Sequence, residues 1–358
     1  MTSIAEPMRA FAALVASALC LAACASSADD TGSTSTAPSD SVAATEAPTE
    51  PTQSEPPPSE PASTEPSTTD PATTQPVAPS SDAPLEAENG GEALLEDPFV
   101  VVEELASDEL NGRNNLTEGS AAARDLLLDR LVGVVDPAQP DRSGDDGYLQ
   151  VYDGGTNIVG VLPGTGALAD EYVLVGAHYD HLGECDTRGV PDDVICNGAA
   201  DNAAGVAAVV AIVTSLGSND VSIAELDDET PTPEGEGRRS VIVGLWDGEE
   251  DGLVGSEVYV DDPLVPLEQT VAYVNFDIQG AQLTPALAAT TVLIGPETGG
   301  APLVDAARRA ADASPLDYAT LSVVFGQGRS DHANFVDAEV PAVFFTDATN
   351  GCYHTVLD

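Results

Sequence analysis

Short β-branched runs that end on polar, chemically capable residues restrict this fold more than any other feature of the chain. They fall at 157–162, 171–177, 240–246, 270–277, 290–295 and 340–346, in company with helically spaced stretches at 99–107, 118–133, 203–216, 253–261 and 301–312. Apolar runs of that length suit strands buried on both faces, and their mixture with helices is the pattern of a doubly covered, mostly parallel α/β sheet. In such sheets ligands gather beyond the carboxyl ends of the strands. Polar groups just after the runs therefore carry most weight.

This pattern is confined to 97–358, which is expected to form one domain. Residues 24–96 are Ser, Thr, Pro, Glu and Ala with hardly a large apolar side chain. Such a segment cannot offset its own ordering entropy, so a disordered, extended linker is expected. Residues 10–23 are an Ala- and Leu-rich run behind Arg9, too short for a permanent span, which predicts a cleaved export signal over 1–23. The run ends Leu21-Ala22-Ala23-Cys24, which resembles a bacterial lipobox. That resemblance implies diacylglycerol on Cys24 and a cell-envelope lipoprotein outside the cytoplasm, touching the membrane only through its anchor; an ordinary secretory signal is the alternative.

Sixty-one acids face eleven Arg and no Lys, for a net charge of −50, and 97–358 alone holds 46 acids and ten Arg. Nucleic acid is excluded as a natural partner on these electrostatics, as is direct binding to anionic lipid. A solvated acidic surface accounts for the excess, with a taste for cationic substrates as the rival reading.

Chemistry concentrates in four places. Tyr172 to Ala177 is a strand pattern that runs into His178-Tyr179-Asp180-His181, in a chain with four His. In extended backbone His178 and Asp180 share a face, so Asp180 can orient a metal-bound imidazole, although a core histidine fits as well. Asp201 precedes an Ala/Val-rich helix and fits an N-cap equally. The run Val241 to Trp246 leads into Glu249-Glu250 between Gly248 and Gly252. Adjacent carboxylates on a strand point oppositely, so the glycines must break the strand for both to serve one site. Phe276-Asp277 ends another run, and Tyr353-His354 lies further on. Together these supply the N/O donors that zinc accepts.

With these blocks in view, and with Leu105 to Arg113, Gly155 to Gly160, Asp201 to Gly205, Glu249 to Ser256 and Ser330-Asp331-His332, the chain resembles the co-catalytic zinc aminopeptidases over about 98–358. That family includes folate-hydrolase-type carboxypeptidases and lies close to the glutaminyl cyclases. The resemblance implies a three-layer α/β/α sandwich with a mixed, mostly parallel central sheet. It also implies two Zn²⁺, His178 and Asp277 on one, Glu250 and His354 on the other, and Asp201 between them. Asp180 would support His178, Glu249 would be the general base, and Tyr353 would stabilise the oxyanion. Spacing alone does not divide the roles of Glu249 and Glu250. Two Zn²⁺ balance three carboxylates and one hydroxide, which moderates the cost of burying the cluster.

The implied activity is aminopeptidase hydrolysis of peptides by a monomer. Single-zinc glutaminyl cyclase chemistry and a non-catalytic metal- or peptide-binding lipoprotein are the alternatives. His181, His332 and Gly326-Gln327-Gly328 read as structural pocket elements. Cys185 and Cys196 flank a polar insertion and are expected to form a disulfide in an oxidising compartment, leaving Cys352 unpaired. Asp186, Asp192 and Asp193 in that insertion fit a solvated loop better than a Ca²⁺ site. A second polar insertion spans 217–238. Ala200 and Ala204 stand where relatives often carry Asp and Ser, and the sequence stops at Asp358 where relatives continue into a further helix, so His354 is expected near a frayed end.

Overall fold

The computed structural model describes residues 96–185, 187–188, 190, 192–218, 237–281, 290–314, 316–322 and 328–358. The signal at 1–23, Cys24, nearly all of the 24–96 linker, Asp186, most of the second insertion and Gly326-Gln327 lie outside these residues.

The expected strands and helices form. In chain order they are α1 (Pro98–Leu105), α2 (Glu118–Leu131), β1 (Leu149–Tyr152), β2 (Gly155–Leu162), β3 (Tyr172–His178), α3 (Ala204–Gly217), β4 (Ser240–Trp246) and α4 (Val254–Asp261). Then follow β5 (Thr270–Phe276), β6 (Thr290–Ile294), α5 (Gly300–Asp312), β7 (Asp317–Thr320), α6 (His332–Asp337) and β8 (Ala342–Thr346). The main sheet runs from the two-residue strand Asp136–Pro137 through β2, β4, β3, β5, β8 and β6 to β7, with β1 also on β2. β4, β3, β5 and β8 are mutually parallel, as are β6 and β7, whereas β2 pairs antiparallel with β4, and β6 with β8. The sheet is thus mixed and mostly parallel at its centre.

Two-residue periodicity divides the core. Val173, Val175 and Ala177 of β3, with Val241, Val243 and Leu245 of β4, pack among α1, α2, α3 and α5. Leu174, Ile242 and Trp246 point the other way, onto Tyr259 of α4 and Phe335 of α6. Helices on both faces make the three layers. The segment Ala199–Gly217, which includes α3, is long and apolar enough to cross a bilayer, yet 78% of it is buried in this core. Under the second face a hydrogen-bonded chain stiffens the strand ends. Trp246 Nε1 donates to the Tyr273 hydroxyl (2.8 Å), which donates to Asn275 Oδ1 (2.7 Å), and Asn275 Nδ2 donates to Ser330 Oγ (2.7 Å).

Candidate metal centre

Because β4, β3, β5 and β8 are parallel neighbours, their carboxyl ends lie along one edge. His178 is the last residue of β3, Asp277 follows β5, the Glu249-Glu250 loop follows β4, and the turns after β8 carry His354. His178 is 1% exposed. Its Nε2 lies 3.2 Å from Asp201 Oδ1, 3.2 Å from Asp277 Oδ1 and 3.9 Å from Glu249 Oε2. His354 Nε2 lies 3.2 Å from Asp201 Oδ2 and 3.2 Å from Glu250 Oε2. All five expected ligands and Glu249 therefore meet, and Asp201 turns one oxygen to each imidazole.

Asp201 is available because it does not cap α3. Asn202 does that work, its Oδ1 accepting from the Gly205 N–H (3.1 Å) while its Nδ2 donates to the Phe276 carbonyl (2.9 Å). The simple N-cap reading of Asp201 is thereby replaced. Gly248 (φ +70°) ends the extended backbone, as the doubled glutamates required. Asp180 then fixes both glutamates, accepting the N–H of Glu249 (3.1 Å) and of Glu250 (3.2 Å). The expected support of His178 is a longer contact, with Nδ1 3.6 Å from Asp180 Oδ1 and 3.2 Å from the Asp180 carbonyl oxygen. The reason is that β3 stops at His178, so the shared-face rule for extended backbone does not reach Asp180.

Tyr353 is partly exposed and stacks on His354, with ring centroids 3.7 Å apart. Ser330, Asp331 and His332 are buried, and His332 stacks on Phe344 at 4.7 Å. Cys185 and Cys196 are joined, and Cys352 is free. Asp193 Oδ1 accepts the Ile195 N–H (3.3 Å), a local turn contact.

The electrostatics favour a cation. Burial opposes charge on His178, yet Glu249 and Asp277 hold its imidazole well above the ordinary range. At His354 burial also opposes charge, and the Asp201 and Glu250 carboxylates overcome it, raising the pKa to about 10. Glu249 is lifted well above a usual carboxylate by burial, against the pull of His178. Asp331 is pushed up to about 7, chiefly by burial.

His354 Nε2 is buried and has no hydrogen-bond partner despite its two close carboxylates. A ring nitrogen held between two carboxylates without an aligned hydrogen bond is placed as a metal ligand would be. One group, His178, Asp201 and Asp277, and a second, His181, Asp201 and Glu250, each bring their donor atoms within 4.8 Å of one another. The N/O set fits zinc.

Two residues do more at this site than the sequence alone assigns, where His181 reads only as a structural pocket element and Arg113 only as part of a matching block. His181 reaches Glu250 Oε1 through Nδ1 at 2.7 Å. A second His in His178-Tyr179-Asp180-His181, in a chain so poor in His, was the available signal. Arg113, fully buried, donates to four backbone carbonyls: Leu105 (2.5 Å), Asn197 (2.6 Å), Tyr179 (3.0 Å) and Gly198 (3.1 Å). It ties the loop after His178 to the loop before Asp201. Desolvation lowers its pKa to about 10, with Asp180 and Asp201 opposing, so it remains charged at neutral pH.

A mixed sheet with this cluster at the carboxyl ends of its strands has the architecture and the donor set of a zinc-type metal centre. The chain belongs to peptidase family M28, whose family model matches residues 157–358. It is 30% identical to rat aminopeptidase NAALADL1 over 196 residues, which are 51% of this chain and 23% of that protein. It is also 30% identical over 138 residues to a probable glutamate carboxypeptidase of Arthroderma benhamiae, covering 38% of this chain and 16% of that one. The match thus spans under a quarter of either curated relative. The crystal structure of the Legionella pneumophila LapA aminopeptidase shares the fold, with a TM-score of 0.51 at 19% identity over 75% of this chain and 66% of that one.

Proposed function

We propose that the domain is a two-zinc aminopeptidase, hydrolysing N-terminal residues of peptides with Glu249 as general base. His178, Asp201 and Asp277 would hold one ion, and Asp201, Glu250 and His354 the other. Zinc bound there would polarise the scissile carbonyl and lower the pKa of a water. Glu249 takes a proton from the attacking water as the C–O bond forms. It returns that proton to the leaving amine as the C–N bond breaks, so no covalent acyl-enzyme is needed. Its raised pKa suits a group that must hold the proton between those two events. Asp180, bonded to the Glu249 N–H, keeps the base in place. The Tyr353 hydroxyl supplies a donor for the oxyanion.

The observation that carries this reading is the double use of Asp201, one oxygen 3.2 Å from each of two imidazoles that arrive on different elements. The aminopeptidase name of the rat relative supports the polarity. We further infer export and lipid anchoring at Cys24 from the apolar run and its small-residue end, with the 24–96 linker as spacer and peptides as the only partners of a monomeric head.

The test is turnover of aminoacyl-anilides and of C-terminally blocked and N-terminally blocked peptides, with zinc counted per chain. Glu249→Gln should lower kcat by about 10²–10⁴-fold with both zinc ions retained. Unchanged turnover would remove the base role. One zinc per active chain would instead favour glutaminyl cyclase-type chemistry, and cleavage only of N-blocked peptides would reverse the polarity.

A further inference from the structure

We propose that His181 is the positioning residue for Glu250 and thereby sets the affinity of the His354 half of the centre, an inference that rests on the two-zinc reading. His181 is fully buried. Its Nδ1 lies 2.7 Å from Glu250 Oε1, while Glu250 Oε2 lies 3.2 Å from His354 Nε2. The two oxygens of one carboxylate are therefore divided, one gripped by an imidazole and the other turned to the shared Asp201 side. An N–H donor on Oε1 fixes the carboxylate plane and leaves Oε2 for a cation, so less ordering entropy is lost when the cation binds.

The main chain that carries the imidazole is itself held. The His181 N–H donates to the Arg113 carbonyl (3.3 Å), and Asn114 Nδ2 donates to the His181 carbonyl (3.3 Å). Gly198, at φ +57°, passes so close that a Cβ there would lie 2.6 Å from the His181 ring. The same glycine's carbonyl is bonded by Arg113. Ring position, Glu250 and the loop that delivers Asp201 are thus linked through one packed contact. A carboxylate facing Nδ1 favours the tautomer with its proton on that nitrogen, which is the donor the arrangement uses.

An Asn amide nitrogen stands close to where Nδ1 stands in His, whereas Phe fills the ring space and carries no donor. Calorimetric zinc titration of metal-free wild type, His181→Asn and His181→Phe, with thermal unfolding of each, separates the possibilities. Wild type and His181→Asn should each bind two equivalents with similar affinities. His181→Phe should weaken the weaker equivalent by on the order of 10–100-fold and leave the tighter one within about twofold. If His181→Phe does not fold, His181→Gln, whose amide reaches the Nε2 position, takes its place with the same expectation.

Two equivalents at unchanged affinity in the donor-free variant would overturn the inference. So would equal weakening in His181→Asn, because the imidazole would then be a ligand or a packing element and not a replaceable donor. Saturation of wild type at one equivalent would overturn the two-zinc reading and this inference with it.

Discussion

The two halves of the centre are built differently. His178 and Asp277 sit at the ends of adjacent parallel strands, both buried, above a hydrogen-bonded aromatic layer. His354 stands on a turn with φ +56° and a side chain 33% exposed, and its carboxylate partner Glu250 is on a loop. A strand end inherits the rigidity of the sheet, whereas a turn must be held by individual contacts. The strand-borne half should therefore load first and more tightly. The turn-borne half depends on neighbours such as His181 and Tyr353.

The largest effect expected is from Asp201→Ala, since that carboxylate serves both halves. Both zinc equivalents should become undetectable, and hydrolysis should fall by more than about 10³-fold. Loss of only one equivalent would show that the halves do not share it.

Arg113→Lys addresses the strand-borne half. An ammonium has three donors for four carbonyls and lacks the guanidinium's spread, so at least one acceptor loses its partner at about 1–3 kcal/mol. Folding stability should drop by at least about 1 kcal/mol, read as a Tm lower by roughly 2–4 °C. A Tm within one degree of wild type would mean that water replaces the lost bonds.

A further effect is in pH. With its pKa raised to about 10 by Asp201 and Glu250, against burial, His354 is protonated at neutral pH in the metal-free centre, and zinc must displace that proton. Affinity at the turn-borne half should therefore rise with pH, by up to about tenfold per unit, and level off near the raised pKa. Titration in buffers of different ionisation enthalpy reads the released proton directly; no release would place a neutral imidazole there already.

Much of this arrangement was legible in the residues. Long apolar runs identified β3, β4, β5 and β8 because a buried parallel strand needs apolar side chains on both faces. The polar residues that follow those runs became the centre because parallel strands share a carboxyl edge. Edge elements were harder to read. β1 and β7 are four residues each and only partly buried, so no apolar run marks them, and α6 has only six residues. The work of Asn202 and Asp180 depends on where β3 stops and how the backbone turns before α3, and residue spacing does not encode that. His181 was read as a structural pocket residue for the same reason, since it lies just beyond the last strand position.

The dispersion of the donors has a bearing on when the metal centre can form. His178, Asp201, Glu250, Asp277 and His354 come from five separate segments, and they converge only when non-consecutive strands have found their places in the order β4, β3, β5, β8. Contacts between such distant segments are slow to establish. A partly assembled copy therefore lacks the gathered donor set, and a cation finds its site only once the sheet is complete.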